Sequence, residues 1–229
     1  MEAARNRPAF LFDLDGTLVD SVYQHVLAWR EALEGCGIEL AVWRIHRRVG
    51  MSGGLFASAL LRETGRPVTA QQAEELQQRH SEAYARQAAQ VRPLPGAKEL
   101  LAFLTKAKVP WAIATSGRME SAQHALRLLE LSSDVPVITR DKVERAKPDP
   151  DLFLAAASQL NVDIHNSFVV GDSVWDLLAA QRARALGVGL LSGGYGEDEL
   201  ERAGAYRVYQ DPFDLLQHVD ELGVRSDGQ

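Results

Sequence analysis

Ala9-Phe10-Leu11-Phe12-Asp13-Leu14-Asp15-Gly16-Thr17 begins as an unbroken apolar run and stops on two carboxylates and a glycine. A run this short, closed by a turn signal, is what a strand buried on both faces requires. Similar runs recur at 110–114, 135–138, 167–170 and 187–191, with a weaker one at 206–209. Helix-period segments lie between them at 97–106, 119–129, 150–160, 174–185 and 213–222. Strand alternating with helix predicts an α/β fold built on a parallel sheet.

Residues 19–90 break the rhythm. Val22, Val26, Trp29 and Leu33 share one helical face, with Asp20 or Ser21 placed as N-cap, and Ala73, Leu76, Ala83 and Tyr84 suggest a second such helix. The chain returns through the proline-punctuated connector Val91-Arg92-Pro93-Leu94-Pro95-Gly96. The economical division is an α/β core formed by 1–18 and 92–229 with an all-helical piece, 19–91, inserted after the first strand. A length of 229 residues suits one core with a sizeable insertion.

Composition narrows the function. Hydrophobic residues make up 46% and charged residues 24%; no segment approaches the ~18 unbroken apolar residues of a membrane helix. The residues around Met1 to Pro8 carry no apolar stretch of secretory length, and a single cysteine, Cys36, agrees with a reducing compartment, so a cytoplasmic protein with no membrane partner is expected. A net charge of −6 argues against nucleic acid. It also means that an anionic substrate must be attracted locally, by a metal ion and a few cations.

Ligands of open parallel sheets bind beyond the carboxyl ends of the strands. There the first run gives Asp13-Leu14-Asp15-Gly16-Thr17, the second Thr115-Ser116-Gly117, and the run at 167–170 gives Gly171-Asp172-Ser173 with Asp176 one turn later. Lys147 lies in Ala146-Lys147-Pro148-Asp149-Pro150 between the third and fourth runs. Carboxylates converging at one edge repel unless a cation is present, and a hard divalent ion, Mg²⁺, is expected. Asp13 and Asp172 can supply oxygen ligands and a backbone carbonyl of the first loop another; the expected metal residues are Asp13, Asp15 and Asp172. Lys147 adds fixed positive charge, and Thr115 and nearby N–H groups can donate to phosphate oxygens. Asp13 and Asp15, two apart in extended chain, can reach one substrate, so that one attacks phosphorus and the other protonates the leaving oxygen.

These segments resemble the motifs of the haloacid dehalogenase superfamily of aspartyl-phosphate-forming phosphotransferases. Phe12-Asp13-Leu14-Asp15-Gly16-Thr17-Leu18 is similar to its first motif, Thr115 to its second, Lys147 with Pro148 to its third, and Gly171-Asp172-Ser173 through Asp176 to its fourth. The resemblance spans nearly the whole chain, since the helical insert is similar to the small cap of members such as phosphoglycolate phosphatases and β-phosphoglucomutases. It implies a Rossmann-like three-layer α/β/α core with a small all-α cap. It further implies Asp13 as nucleophile, Asp15 as acid/base, Asp172 as magnesium ligand, Asp176 as supporting carboxylate, and a phosphate-binding N–H at Ser116. Lys147 completes the catalytic set, with Gly16 and Gly171 supporting it. Arg44-Ile45-His46-Arg47-Arg48-Val49-Gly50 resembles the cap loop that faces the site, with Arg47 the expected substrate contact.

Structural readings stand beside these. Asp15-Gly16 is a common turn pair, Asp149-Pro150 a strong helix start, Ser173 with Asp176 a capping box, and Arg44 to Arg48 an ordinary solvated face. No histidine has metal-ligand spacing, and none is assigned to catalysis. Hydrolysis of a small phosphomonoester, a sugar phosphate or phosphoglycolate-like molecule, is the expected reaction. A phosphomutase would use the same groups, and a non-enzymatic phosphoacceptor domain would need neither the insert nor Asp15. A dehalogenase would need no acid at Asp15. The oligomeric state, monomer or dimer, is left open.

Overall fold

A computed structural model describes residues 8–63, 65 and 69–224; the chain ends of the expected core and part of the insert, around 64 and 66–68, lie outside the described residues. In chain order the strands are β1 (Ala9–Phe12), β2 (Val19–Asp20), β3 (Arg92–Pro93), β4 (Trp111–Ala114), β5 (Val137–Ile138), β6 (Ser167–Gly171), β7 (Leu186–Leu190) and β8 (Ala205–Tyr209). The helices are α1 (Val22–Glu34), α2 (Val42–His46), α3 (Gly53–Glu63), α4 (Ala70–Gln87), α5 (Ala97–Lys106), α6 (Met119–Leu128), α7 (Asp151–Leu160), α8 (Val174–Ala183), α9 (Glu197–Arg202) and α10 (Pro212–Gln217).

Parallel pairing gives one sheet in the order β5-β4-β1-β6-β7-β8. Its central strand shows why the apolar runs are unbroken. Phe10 and Phe12 face one core with Trp111, Ile113 and Val170, while Leu11 faces the other with Ala112, Ala114, Val169 and Phe153. Both faces are therefore covered by helices, and each buried large side chain contributes about 1.5–3 kcal/mol. Phe12 pairs with both Ile113 and Val170, so β1, β4 and β6 end at one level and deliver their following residues to one edge.

Helices α1 to α4 bury Val22, Val26, Trp29, Ile45, Phe56, Leu60 and Leu76 in a cluster of their own. Ala28, Ala83 and Tyr84, on another face of the α1–α4 pair, join the core under the sheet. The chain leaves and re-enters the core through an antiparallel ribbon, β2 with β3, in which Asp20 pairs with Arg92. The proline connector is thus one strand of that ribbon rather than a free linker.

Several boundaries differ from the sequence reading. Helix α7 starts at Asp151 with Pro150 as N-cap; Asp149 caps nothing and instead pairs with Arg182 at 3.1 Å. Helix α8 stops at Ala183, because Arg184 turns to φ 60°. The last helix ends at Gln217 and is followed by a separate 3₁₀ turn, Val219–Leu222. Val135 lies outside β5, its N–H closing a turn onto the Ser132 carbonyl. Ser21 occupies the N-cap of α1, but its hydroxyl bonds elsewhere. Among the described residues no helix is long and apolar enough to cross a membrane.

Candidate active site

Asp13 follows β1 and is anchored by its N–H to the Val170 carbonyl at 2.9 Å. Its carboxylate meets the ammonium of Lys147, which is 0% exposed and reaches Asp176 Oδ1 at 2.8 Å. Asp176 is held in turn by the backbone N–H of Ser173 at 3.2 Å and its hydroxyl at 2.5 Å. Capping α8 and pairing with Lys147 are therefore done by the two oxygens of one carboxylate. Asp172, at the end of β6, accepts a hydrogen bond from Thr17 Oγ1 at 3.1 Å.

Carboxylate oxygens of Asp13, Asp172 and Asp176 all lie within 4.8 Å of one another. Burial pushes Asp13 up to about 7, with Lys147 pulling it down and Asp176 and Asp15 adding repulsion. Asp172 is raised well above the usual carboxylate range by burial and by the charges of Asp176 and Asp13. Burial would lower Lys147, but Asp13 and Asp176 outweigh it and hold the ammonium charged. With all three buried carboxyls ionised, the one ammonium would leave an excess of two negative charges. That excess and its all-oxygen donor set fit a hard divalent cation. Asp176 is committed to Lys147 and Ser173, so Asp13 and Asp172 are the carboxylates that could hold it.

Glycines let these carboxylates approach. A side chain on Gly16, whose φ is +82°, would come within 2.5 Å of Asp172 Oδ2, and one on Gly171 within 2.3 Å of Asp176. Gly193, in the loop after β7, is closer still, at 1.8 Å from Asp172 Oδ2. The Ser192 hydroxyl donates to the Gly16 carbonyl at 2.6 Å, tying that loop to the first.

Asp15 looks the other way. Its Oδ1 accepts from Ser21 Oγ at 2.6 Å and faces His25 Nε2 at 3.3 Å, both on the insert. Burial would raise its pKa, but His25 and Ser21 overcome this and hold it below the usual range. Its carboxylate is therefore separate from the group of three that could share a metal.

Thr115 is buried just past β4, and its hydroxyl accepts the Gly117 N–H at 3.0 Å. The Ser116 hydroxyl is buried without a protein partner. Arg47 is bound to groups of the core outside the carboxylate cluster. It pairs with Glu199 at 2.8 Å and lies over the Tyr195 ring at 4.7 Å. Arg44 and Arg48 both pair with Glu63. The 46–52 loop nevertheless lies on the core: His46 Nε2 bonds the Gly193 carbonyl at 2.8 Å, and the Ser52 N–H approaches the Lys147 carbonyl at 3.4 Å.

Residues missed in the sequence are Thr17, His25 and Gly193. Gly193 follows a strand's carboxyl end, so the rule that found Asp172 would have found it. Thr17 sits inside the first motif. His25 carries no local signal, since its partners are set by the packing of α1.

A haloacid dehalogenase-like hydrolase family profile matches residues 8–184. Hexitol phosphatase A of Escherichia coli (strain K12) is 35% identical over 76% of this chain and 78% of its own length. The phosphoglycolate phosphatase of Caulobacter vibrioides is 33% identical over 92% of this chain and 90% of its own. A crystal structure of a hydrolase from Pseudomonas syringae superposes with a TM-score of 0.92 at 56% identity, covering 94% of this chain and 99% of that one. With the parallel sheet, the convergent aspartates and the buried lysine, these likenesses settle the family: the chain belongs to the haloacid dehalogenase-like hydrolases.

Proposed function

We propose that the protein is a magnesium-dependent phosphatase that hydrolyses a small phosphomonoester, a sugar phosphate or phosphoglycolate-like molecule, through an aspartyl phosphate on Asp13. The observation that carries this reading is the opposite setting of two neighbouring aspartates. Asp13 sits against Lys147 among carboxylates, whereas Asp15 sits against donors from the insert. On this reading Asp13 attacks phosphorus and Asp15 hands a proton to the departing oxygen and later takes one from water. Lys147, Thr115 and the groups around Ser116 would receive the phosphoryl oxygens. Asp13 and Asp172, with a carbonyl of the first loop, would hold magnesium, which supplies positive charge to the phosphoryl group when bound. The relatives' names support small phosphorylated metabolites as substrates, and the unpaired Cys36 suits a reducing, cytoplasmic setting.

On this reading residues 19–91 form a cap that excludes water and selects substrate. The contacts of His46 and Ser52 with the core support it. Arg47 then acts less as a ligand than as part of the closure, through Glu199 and Tyr195.

The test is a screen of phosphorylated metabolites with and without chelator, scoring released phosphate and isomerised product. Magnesium-dependent release is expected. Full turnover in excess chelator would contradict the metal assignment. Isomerisation would make the protein a phosphomutase, and phosphate retained on the chain without turnover a phosphoacceptor.

A further inference from the structure

We infer that His80, on α4, is a positioning residue for Asp15 that acts through His25, by partnering its Nδ1 and so holding the imidazole with Nε2–H on the Asp15 carboxylate. The inference rests on the acid/base assignment of Asp15 made above.

Asp15, His25 and His80 form a chain from the core into the insert. His25 Nε2 stands 3.3 Å from Asp15 Oδ1, and His25 Nδ1 stands 3.1 Å from His80 Nε2. The two imidazoles are within 19° of parallel with centroids 5.3 Å apart. That separation is close to the N···N distance extended by a ring radius at each end, so the rings meet edge to edge, as an in-plane hydrogen bond requires. Flat partners hold both. Tyr84 lies 3.9 Å from His25 at 5°, and Trp29 lies 4.1 Å from His80 at 17°. Trp29 in turn stacks on Phe56.

Two facing ring nitrogens cannot both present a proton or both present a lone pair. Burial and the neighbouring His25 hold His80 well below its ordinary pKa, so it is a neutral imidazole with one N–H. A neutral His25 with its proton on Nδ1 would turn its Nε2 lone pair onto the Asp15 carboxylate, which repels it, so a neutral His25 carries its proton on Nε2 and needs at Nδ1 the donor that His80 Nε2–H supplies. If His25 is charged, both its nitrogens donate, one to His80 and one to Asp15. In either arrangement a proton faces Asp15 Oδ1. Ser21 donates to that same oxygen at 2.6 Å. With both donors on Oδ1, the oxygen left to exchange a proton with leaving group and water is Oδ2. Without His80, His25 Nδ1 would lose its partner and the imidazole the hydrogen bond that fixes its direction toward Asp15.

The experiment uses the whole chain with His80→Phe, which keeps a flat ring beside Trp29, and His80→Gln, whose amide restores a donor. The first readout is the ¹⁵N spectrum of His25. In the wild type Nε2 should be protonated and Nδ1 hydrogen-bonded; in His80→Phe the Nδ1 signal should move to that of a free nitrogen, and His80→Gln should reverse most of the change. The second is turnover. His80→Phe should lower kcat on an alkyl phosphate by about tenfold, a part of the 10²–10⁴-fold that acid–base assistance supplies. KM should stay within about twofold, and phosphorylation by an activated aryl phosphate should change little. His80→Phe added to His25→Ala should cost nothing more. An unchanged His25 spectrum, equal losses in the phosphorylation step on alkyl and aryl substrates, or additive losses in the double variant would overturn the inference. If the wild type hydrolysed no phosphomonoester, the proposed function would fail, and the nitrogen spectra would still decide whether His80 fixes His25.

Discussion

Asp13 and Asp15 are separated by one residue, yet their surroundings belong to different parts of the molecule. The Asp13 side is made wholly by the α/β core: a buried lysine, two further carboxylates, and glycines that let them crowd together. The Asp15 side is made by the insert, through Ser21 and His25 on or beside α1 and Tyr84 on α4. Burial acts on both carboxyls in the same direction, and the partners decide the outcome. Asp13 ends near 7, while Asp15 ends below the usual range. The lesson is that the core alone builds the anion-repelling, cation-demanding surroundings of Asp13, whereas the surroundings of Asp15 exist only with the helical segment in place.

The largest effect should follow from removing the nucleophile. Asp13→Asn should lower phosphate release by several orders of magnitude on every substrate while the protein stays folded, because Lys147 keeps Asp176. Retained turnover would abolish the contrast between the two aspartates.

Lys147→Met removes the ammonium from between buried carboxylates. Urea unfolding in chelator should show a loss of about 3–5 kcal/mol, the cost of leaving buried charge uncompensated. A change below about 1 kcal/mol would mean that the carboxylates are neutral or solvated in the folded protein.

The raised pKa of Asp13 has a definite sign in stability. A carboxyl whose folded pKa, about 7, exceeds its ordinary value of 3.8 contributes stability fully below the lower value and loses it as pH rises through the higher. Asp172 shifts in the same direction. Metal-free protein should therefore lose melting temperature between roughly pH 4 and pH 7, and magnesium, which favours the ionised forms, should offset the loss. The gap between melting curves with magnesium and with chelator should widen as pH rises. A gap independent of pH would place the metal elsewhere.

The sequence made the core legible because each strand is buried on both faces and so reads as an unbroken apolar run. The carboxyl-edge rule then located Asp13, Asp172 and Asp176 without structure. Helix ends were less legible. Arg184 takes a left-handed turn that glycine usually marks, so the periodic pattern ran on to 185, and Pro150 proved to be a cap rather than a first helical residue. The Asp15 side was hardly legible at all. His25 and His80 meet across 55 positions, and no local spacing announces a pair brought together by two packed helices. Arg47 shows another limit: a basic run suggested a substrate contact, and nothing in that run announced a carboxylate partner 152 residues away on α9.

The smallest effect should come from that pair. Arg47 and Glu199 are each 38% exposed, so Arg47→Ala should cost no more than about 1 kcal/mol of stability. If the contact helps close the cap, discrimination between substrates should change more than hydrolysis of a small generic phosphoester. Equal losses on all substrates would remove the loop from the account.

The division of labour between the two aspartates is tested most directly by Asp15→Asn with an activated aryl phosphate. Phosphorylation should proceed, since that leaving group needs little proton assistance, whereas hydrolysis of the phosphoenzyme should stall for want of a base. Mass spectrometry should find a phosphate increment on the peptide spanning 12–17, located at Asp13. Phosphate on Asp172, on Asp176 or on a histidine, or none anywhere while turnover continues, would contradict the account.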